Sequence, residues 1–275
     1  MGNLFIYVYV IFLMIGKKKE KNIESVLVIY SKKSFESDVF CRVRNILKKN
    51  KIKFSSVFID DFKDSNFKNF DLILVVGGDG TFIRVSHFLE DELILGVNSD
   101  MNTSEGGLLE LNEKNLQKLN SILLGKFYVF ERRRVDVYLN NDLLFGRALN
   151  EVYFGAKNQF HTSRYDLILE GRKEEQRSSG VLVVTCTGSR AWYKSAGGRS
   201  FSRRGLLKYL VREPFVSRVF SSKMLKGKIK KEIGFVSKMY HDAVVSMDSN
   251  LIVPVGYLDK VKMKLSSKNL RCVRI

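Results

Sequence analysis

The chain has 275 residues, with 47 Lys+Arg against 29 Asp+Glu for a formal charge of +18, a length that suits one large domain or two modest ones at roughly 100–200 residues each. An apolar content of 45% with 20 Phe and 11 Tyr excludes disorder as the main state, and three scattered cysteines, Cys41, Cys186 and Cys272, exclude a disulfide scaffold and fit a reducing, cytoplasmic compartment. The basic residues are dispersed and no nucleic-acid-binding motif accompanies them, so no nucleic-acid partner is expected.

The chain opens with twelve apolar residues, Leu4 to Ile15, followed by GKKKEK. As a helix they would reach about 18 Å, short of the ~30 Å hydrocarbon core. The charge follows the apolar run, whereas a secretory signal carries it in front, and Ile6 stands where a myristoylation signal needs Ser or Thr. Residues 1–22 are expected to be an apolar and basic leader on a cytoplasmic protein, without a membrane partner.

The run Ser25–Tyr30 is β-branched and reads as a buried strand. Phe35 to Lys49 carries apolar residues at helical spacing. Phe54–Ile59, Asp71–Val76 and Leu93–Val97 read as further strands, and Phe82–Leu89 as a helix. Strand and helix alternate, so 23–128 is expected to be an α/β domain with an open, mostly parallel sheet. The texture then changes. Val135–Leu139, Leu143–Leu149, Glu151–Gly155, Tyr165–Leu169, Val181–Thr185, Lys228–Ile233, Ala243–Met247 and Val261–Leu265 all read as short strands, so 129–275 is expected to be a β-rich domain.

Three segments carry chemistry. Gly77-Gly78-Asp79-Gly80-Thr81 ends a buried strand. Glycines there let a backbone pass close to a ligand and take positive φ, and N–H groups ahead of a helix form an anion site. A carboxylate inside such a loop repels phosphate unless it has a task, which makes Asp79 the candidate general base. Arg84 could reach phosphate from the next turn. Neither a P-loop nor a GxGxxG fingerprint is present. Asn150-Glu151 offers an amide and a carboxylate able to read adenine edges or ribose hydroxyls. Thr185–Gly198, TCTGSRAWYKSAGG, combines hydroxyls, glycines and an aromatic pair able to close around a polar ligand. His87 and His241 stand in no metal-ligand spacing, and no metal site is expected.

GGDGT, then NE, then TGSxAxxxSxGG resembles the NAD kinase family over roughly residues 25–265. Lipid kinases share GGDGT, but Gly96–Leu109 lacks their PxGTGNDxA stretch. The resemblance implies a magnesium-dependent phosphotransferase that uses ATP or polyphosphate to convert NAD to NADP, in a homo-oligomer of two or four chains. It implies Asp79 as proton acceptor, with Gly77, Gly78, Gly80, Thr81 and Arg84 around the phosphates. It implies Asn150, Glu151, His161, Arg177, Ser179, Arg190, Ala191, Trp192, Ser195 and Asn250 as NAD-binding positions. Several of these depart from the family's usual pattern: Arg177-Ser178-Ser179-Gly180 replaces RGDG, and Arg190-Ala191-Trp192 replaces TAY. These departures are similar to the mitochondrial-type branch. A degenerate dinucleotide sensor on the same fold, and less so a GGDGT lipid kinase, stand as alternatives.

Overall fold

The β-branched run Ser25–Tyr30 forms the first strand, β1, of the computed structural model, which describes residues 22–62, 67 and 69–275. The Leu4–Ile15 run lies outside the described residues, among which no helix is long and apolar enough to cross a membrane. The chain divides into two compact units. The first comprises the described residues up to Val85, Glu92–Glu131 and Arg271–Ile275, and the second comprises Ser86–Asp91 and Arg132–Leu270.

The first unit is built on one seven-stranded sheet. Its strands are β1, β2 (Lys53–Phe58), β3 (Leu72–Gly77), β4 (Leu93–Asn98), β5 (Leu111–Asn112), β6 (Tyr128–Arg132) and the C-terminal strand Leu270–Arg274. The order is β2-β1-β3-β4, then the C-terminal strand, then β6, with β5 also on β4. The β1–β2, β1–β3, β3–β4, β4–β5 and β4–C-terminal pairings are all parallel. All six residues of β3 are buried, as an apolar run without alternation requires of a strand covered on both faces. The helix Asp38–Lys49 starts three residues later than the spacing predicts, because Ser37 caps it by accepting the Phe40 N–H. It buries Val39, Phe40, Val43, Ile46 and Leu47 in a core with Val26, Val28, Leu72, Leu74 and Val76.

The second unit has two antiparallel six-stranded sheets. In chain order its strands are β7 (Val135–Leu139), β8 (Asp142–Leu143), β9 (Glu151–Ala156), β10 (Ser163–Leu169), β11 (Arg172–Ser178) and β12 (Val181–Val184). Then come β13 (Leu207–Val211), β14 (Lys226–Ile229), β15 (Glu232–Ser237), β16 (Ala243–Met247), β17 (Leu251–Pro254) and β18 (Lys260–Leu265). One sheet runs β11-β10-β15-β18-β7-β8, the other β14-β13-β12-β9-β16-β17. Their inward residues, among them Phe154, Tyr165, Phe235, Val245 and Met263, form one core.

Two expected strands are corrected. Leu143–Leu149 is not a strand: β8 ends at Leu143, Gly146 turns the chain at φ +81°, and only Ala148 bridges to Val135. Lys228–Ile233 is two strands of different sheets, parted at the exposed Lys230-Lys231. The charged strand β11, RKEEQRS, has no apolar pattern to announce it. Ion pairs such as Lys173–Asp166 and Arg177–Glu175 hold its outer side chains.

Arg134 is fully buried. Its guanidinium donates to the carbonyls of Lys268, Ser86, Leu89, Glu90 and Asn269 at 2.9, 3.1, 2.6, 3.3 and 3.4 Å, tying Ser86–Asp91 into the second unit. Arg134→Met keeps the volume but strips these carbonyls of a charged donor. It should cost about 3–5 kcal/mol, read from the urea midpoint; a loss under about 1 kcal/mol would contradict this role.

Candidate functional site

In the first unit, Gly78 is the only residue between β3 and the helix Asp79–Ser86. That helix begins three residues earlier than predicted, so Asp79, Gly80 and Thr81 form its first turn. The freedom of the loop glycines to take positive φ is not used: none of Gly77, Gly78 and Gly80 does. At two of them room is tight. A Cβ on Gly77 would lie 2.9 Å from Thr81 Oγ1, and one on Gly78 3.2 Å from Ser104 Oγ, whereas one on Gly80 would meet nothing within 4 Å. Gly80 is therefore not demanded by packing, and it is exposed.

Asp79 is held at both oxygens. Oδ2 accepts the Gly107 N–H at 3.0 Å and Oδ1 the Leu108 N–H at 2.9 Å. The loop that supplies these donors is itself fixed. Asn98 Nδ2 donates to the Ser104 carbonyl at 3.0 Å, and Gly106 sits at φ +67° with no room for a Cβ beside that amide. Each carboxylate oxygen keeps a second lone pair for a proton or a ligand. Arg84, about 140° further round the helix by α-helical geometry, pairs instead with Asp60 at 2.5 Å.

In the second unit, one end of the β12–β9–β16 strands gathers the polar groups. Glu151 pairs with Val184, and Val152 with Met247, so Asn150-Glu151, Thr185 and Asp248 meet where these strands end. Thr185 is buried; its hydroxyl donates to the Leu149 carbonyl at 2.7 Å and accepts the N–H groups of Thr187 and Gly188. Gly188 lies so close to Asn150 that a Cβ would stand 2.1 Å from its carbonyl oxygen, which explains the glycine in the TGS motif. Asp248 is also buried, and its carboxylate accepts the N–H groups of Leu149, Asn150 and Glu151 at 2.6, 2.8 and 3.0 Å. Burial pushes Asp248 up to about 6 against the pull of these three donors. Glu151 is buried with Oε2 lacking a hydrogen-bond partner. Burial, and then the Asp248 charge, push it up to about 8. His87 Nε2 lies 3.5 Å from Asp248 Oδ2, and burial, then the Arg134 charge, lower that imidazole to about 4.

The other predicted positions are distributed around this unit. Asn250 follows the left-handed Asp248-Ser249 turn and its amide donates to the Asp248 carbonyl at 2.8 Å, so it shares the same end of the sheet. Arg190, Ala191 and Ser195 are exposed on the segment after Thr185. Trp192 stacks on Tyr153 at 5.6 Å and carries Arg212 at 4.9 Å, so its ring is engaged within the protein. The Ser179 carbonyl accepts the Tyr153 hydroxyl at 3.2 Å. Arg177 is bound by Glu175 and lies over Phe220, and His161 stands exposed 3.5 Å from Asp242. A groove of about 680 Å³ lined by Ile168, Lys230, Lys260 and Lys262 holds none of these residues.

Asp248 and His87 are the members that sequence reasoning missed as site residues. The signal for Asp248 was a short polar turn after a buried strand, a place where Asp caps backbone. The Gly107 and Leu108 donors carried no side-chain signal at all.

Residues 17–103 match the family model of the ATP-NAD kinase N-terminal domain. Over 214 residues the chain is 35% identical to an NAD kinase of Methanosarcina mazei, covering 74% of this chain and 70% of that protein. Over 256 residues it is 31% identical to a probable NADH kinase of Oryza sativa, covering 84% and 78%. The fold matches that of an NAD kinase from Archaeoglobus fulgidus, solved in complex with ATP, at a TM-score of 0.73 and 22% identity over 90% of this chain and 92% of that one. With relatives at 30% identity or more covered over more than two thirds of their length, the chain belongs to the NAD kinase family.

Proposed function

We propose that this chain transfers the terminal phosphoryl group of ATP to the adenosine ribose 2′-hydroxyl of NAD, giving NADP and ADP. The observation that carries the reading is Asp79, the first residue of a helix that follows a buried strand after one glycine, with its carboxylate held by two backbone N–H groups. The 2′-oxygen attacks the γ-phosphorus, the bond to the β-phosphate bridging oxygen breaks, and the hydroxyl proton passes to Asp79. The N–H groups of Gly78 to Thr81, at the positive end of the helix, favour the phosphates' negative charge, and Gly77 lets the turn close. Arg84 is assigned to the same charge, exchanging Asp60 for phosphate. Asn150, Glu151, Ala191 and Ser195 position NAD, with His161, Arg177, Ser179, Arg190, Trp192 and Asn250 as further contacts. Residues 23–128 thus serve the donor and 129–275 the dinucleotide.

Among the described residues no group of three or more His, Cys, Asp or Glu side chains could hold a metal ion. Magnesium enters this proposal as part of the donor, carried on its phosphates. A cytoplasmic location accords with three free cysteines. Assembly into dimers or tetramers accords with the exposed Phe215, Val216 and Val219.

Gly80 offers a clean test. Its methyl variant meets no atom within 4 Å, and alanine is the better helix former by up to ~1 kcal/mol. Gly80→Ala should leave the thermal midpoint unchanged or raised, yet lower NADP formation at least tenfold, because the methyl occupies the space a phosphate needs. Full activity in Gly80→Ala would overturn the assignment of that space to the donor.

A further inference from the structure

Two buried carboxyl groups share one end of the β9–β16 pair, and they are not treated alike. Asp248 accepts three backbone N–H groups, and its own N–H donates to the Glu151 carbonyl at 3.0 Å. Glu151 Oε2 is buried and has no partner. Neighbouring carboxyls shielded from water do not both ionise at neutral pH unless a cation offsets them. Among the described residues no lysine or arginine pairs with either carboxyl. His87, from Ser86–Asp91, lies 3.5 Å from Asp248 and is kept neutral by burial and by Arg134; the Thr185 hydroxyl, from the turn after β12, donates to the Leu149 carbonyl; Asp248 itself stands in the turn after β16. Three N–H donors favour the negative charge on Asp248, so the proton of the pair stays on Glu151, two carboxyls driven to opposite roles by their surroundings.

We propose that Glu151 meets the nucleotide as a neutral carboxylic acid and donates its O–H to an acceptor on the adenosine, a ring nitrogen or a ribose oxygen. Asp248 is the positioning residue that makes this possible, by holding the Leu149–Glu151 backbone and keeping the charge. The inference rests on the reading of Asn150-Glu151 as NAD contacts. It adds a direction: the contact is a donor below about pH 8 and is lost as Glu151 ionises above it.

The test is the KM for NAD of the full chain from pH 7 to 9.5, compared with Glu151→Gln and Glu151→Ala. The wild-type KM should rise about tenfold per pH unit above about 8, as titration of a single group requires. Glu151→Gln, an amide donor that does not titrate, should show a flat profile and a KM at least tenfold below that of Glu151→Ala. A flat wild-type profile, or a Gln variant no better than Ala, overturns the proposal. A wild type that makes NADP at no pH overturns the phosphotransfer reading instead. Stability gives an independent readout. The folded state keeps a proton that an unfolded Glu releases above about 4.5, so the wild type loses stability as pH rises from there toward 8. The thermal midpoint of Glu151→Gln should exceed that of the wild type by a margin that grows from pH 5 to 8, and a constant margin counts against a neutral Glu151.

Discussion

Replacing Asp79 by Asn should lower kcat for NADP formation by roughly 10²–10⁴-fold, the usual contribution of a positioned general base. The amide cannot take the 2′-hydroxyl proton. It also disturbs its own seat. Both carboxylate oxygens accept a backbone N–H, from Gly107 and Leu108, and an amide has one acceptor for these two donors. One N–H is then turned toward an NH₂ group, at about 1–3 kcal/mol. The two effects separate experimentally. The urea midpoint reports the lost hydrogen bond, and kcat at saturating substrates reports the lost base. A fall in kcat no larger than the stability change accounts for would remove Asp79 from the chemistry and favour a dinucleotide sensor.

Asp248→Ala should be the most damaging single substitution to the second unit, at about 3–6 kcal/mol. The carboxylate is the acceptor for three N–H groups within 2.6–3.0 Å, and each buried donor left without a partner costs about 1–3 kcal/mol. Against a total of about 5–15 kcal/mol for a whole domain, this loss should abolish folding near 37 °C or bring it close to doing so. Asp248→Asn keeps one acceptor oxygen and should fall between. Denaturant unfolding of the two variants checks the order, and an Ala variant within about 1 kcal/mol of the wild type would contradict the structural role given to Asp248.

The parallel sheet was legible because β1, β3 and β4 are unbroken apolar runs, and the β-rich unit because its strands are short and apolar between turns. What escaped the sequence has physical causes. Strand β11 is charged on both faces and is stabilised by ion pairs that no local pattern announces. The Leu143–Leu149 run is apolar yet leaves Leu143 and Phe145 exposed and pairs beyond β8 only through Ala148, so its composition does not report its structure. At the site, Asp79, Asn150 and Glu151 stand in recognisable motifs. Asp248 binds backbone N–H groups 97–99 residues away in sequence, and a residue with such partners leaves no motif. The spare room at Gly80 was equally invisible, since a glycine letter does not say whether a Cβ would collide.

The central claim, that this chain phosphorylates NAD, is tested most directly by incubating the purified full chain with NAD, ATP and magnesium. The product is then examined for phosphate on the adenosine ribose 2′-oxygen, with Asp79→Asn in parallel. The account predicts 2′-phosphorylated NAD from the wild type and at least a hundredfold less from the variant. NAD binding without product in the wild type, with polyphosphate as well as with ATP, would contradict it.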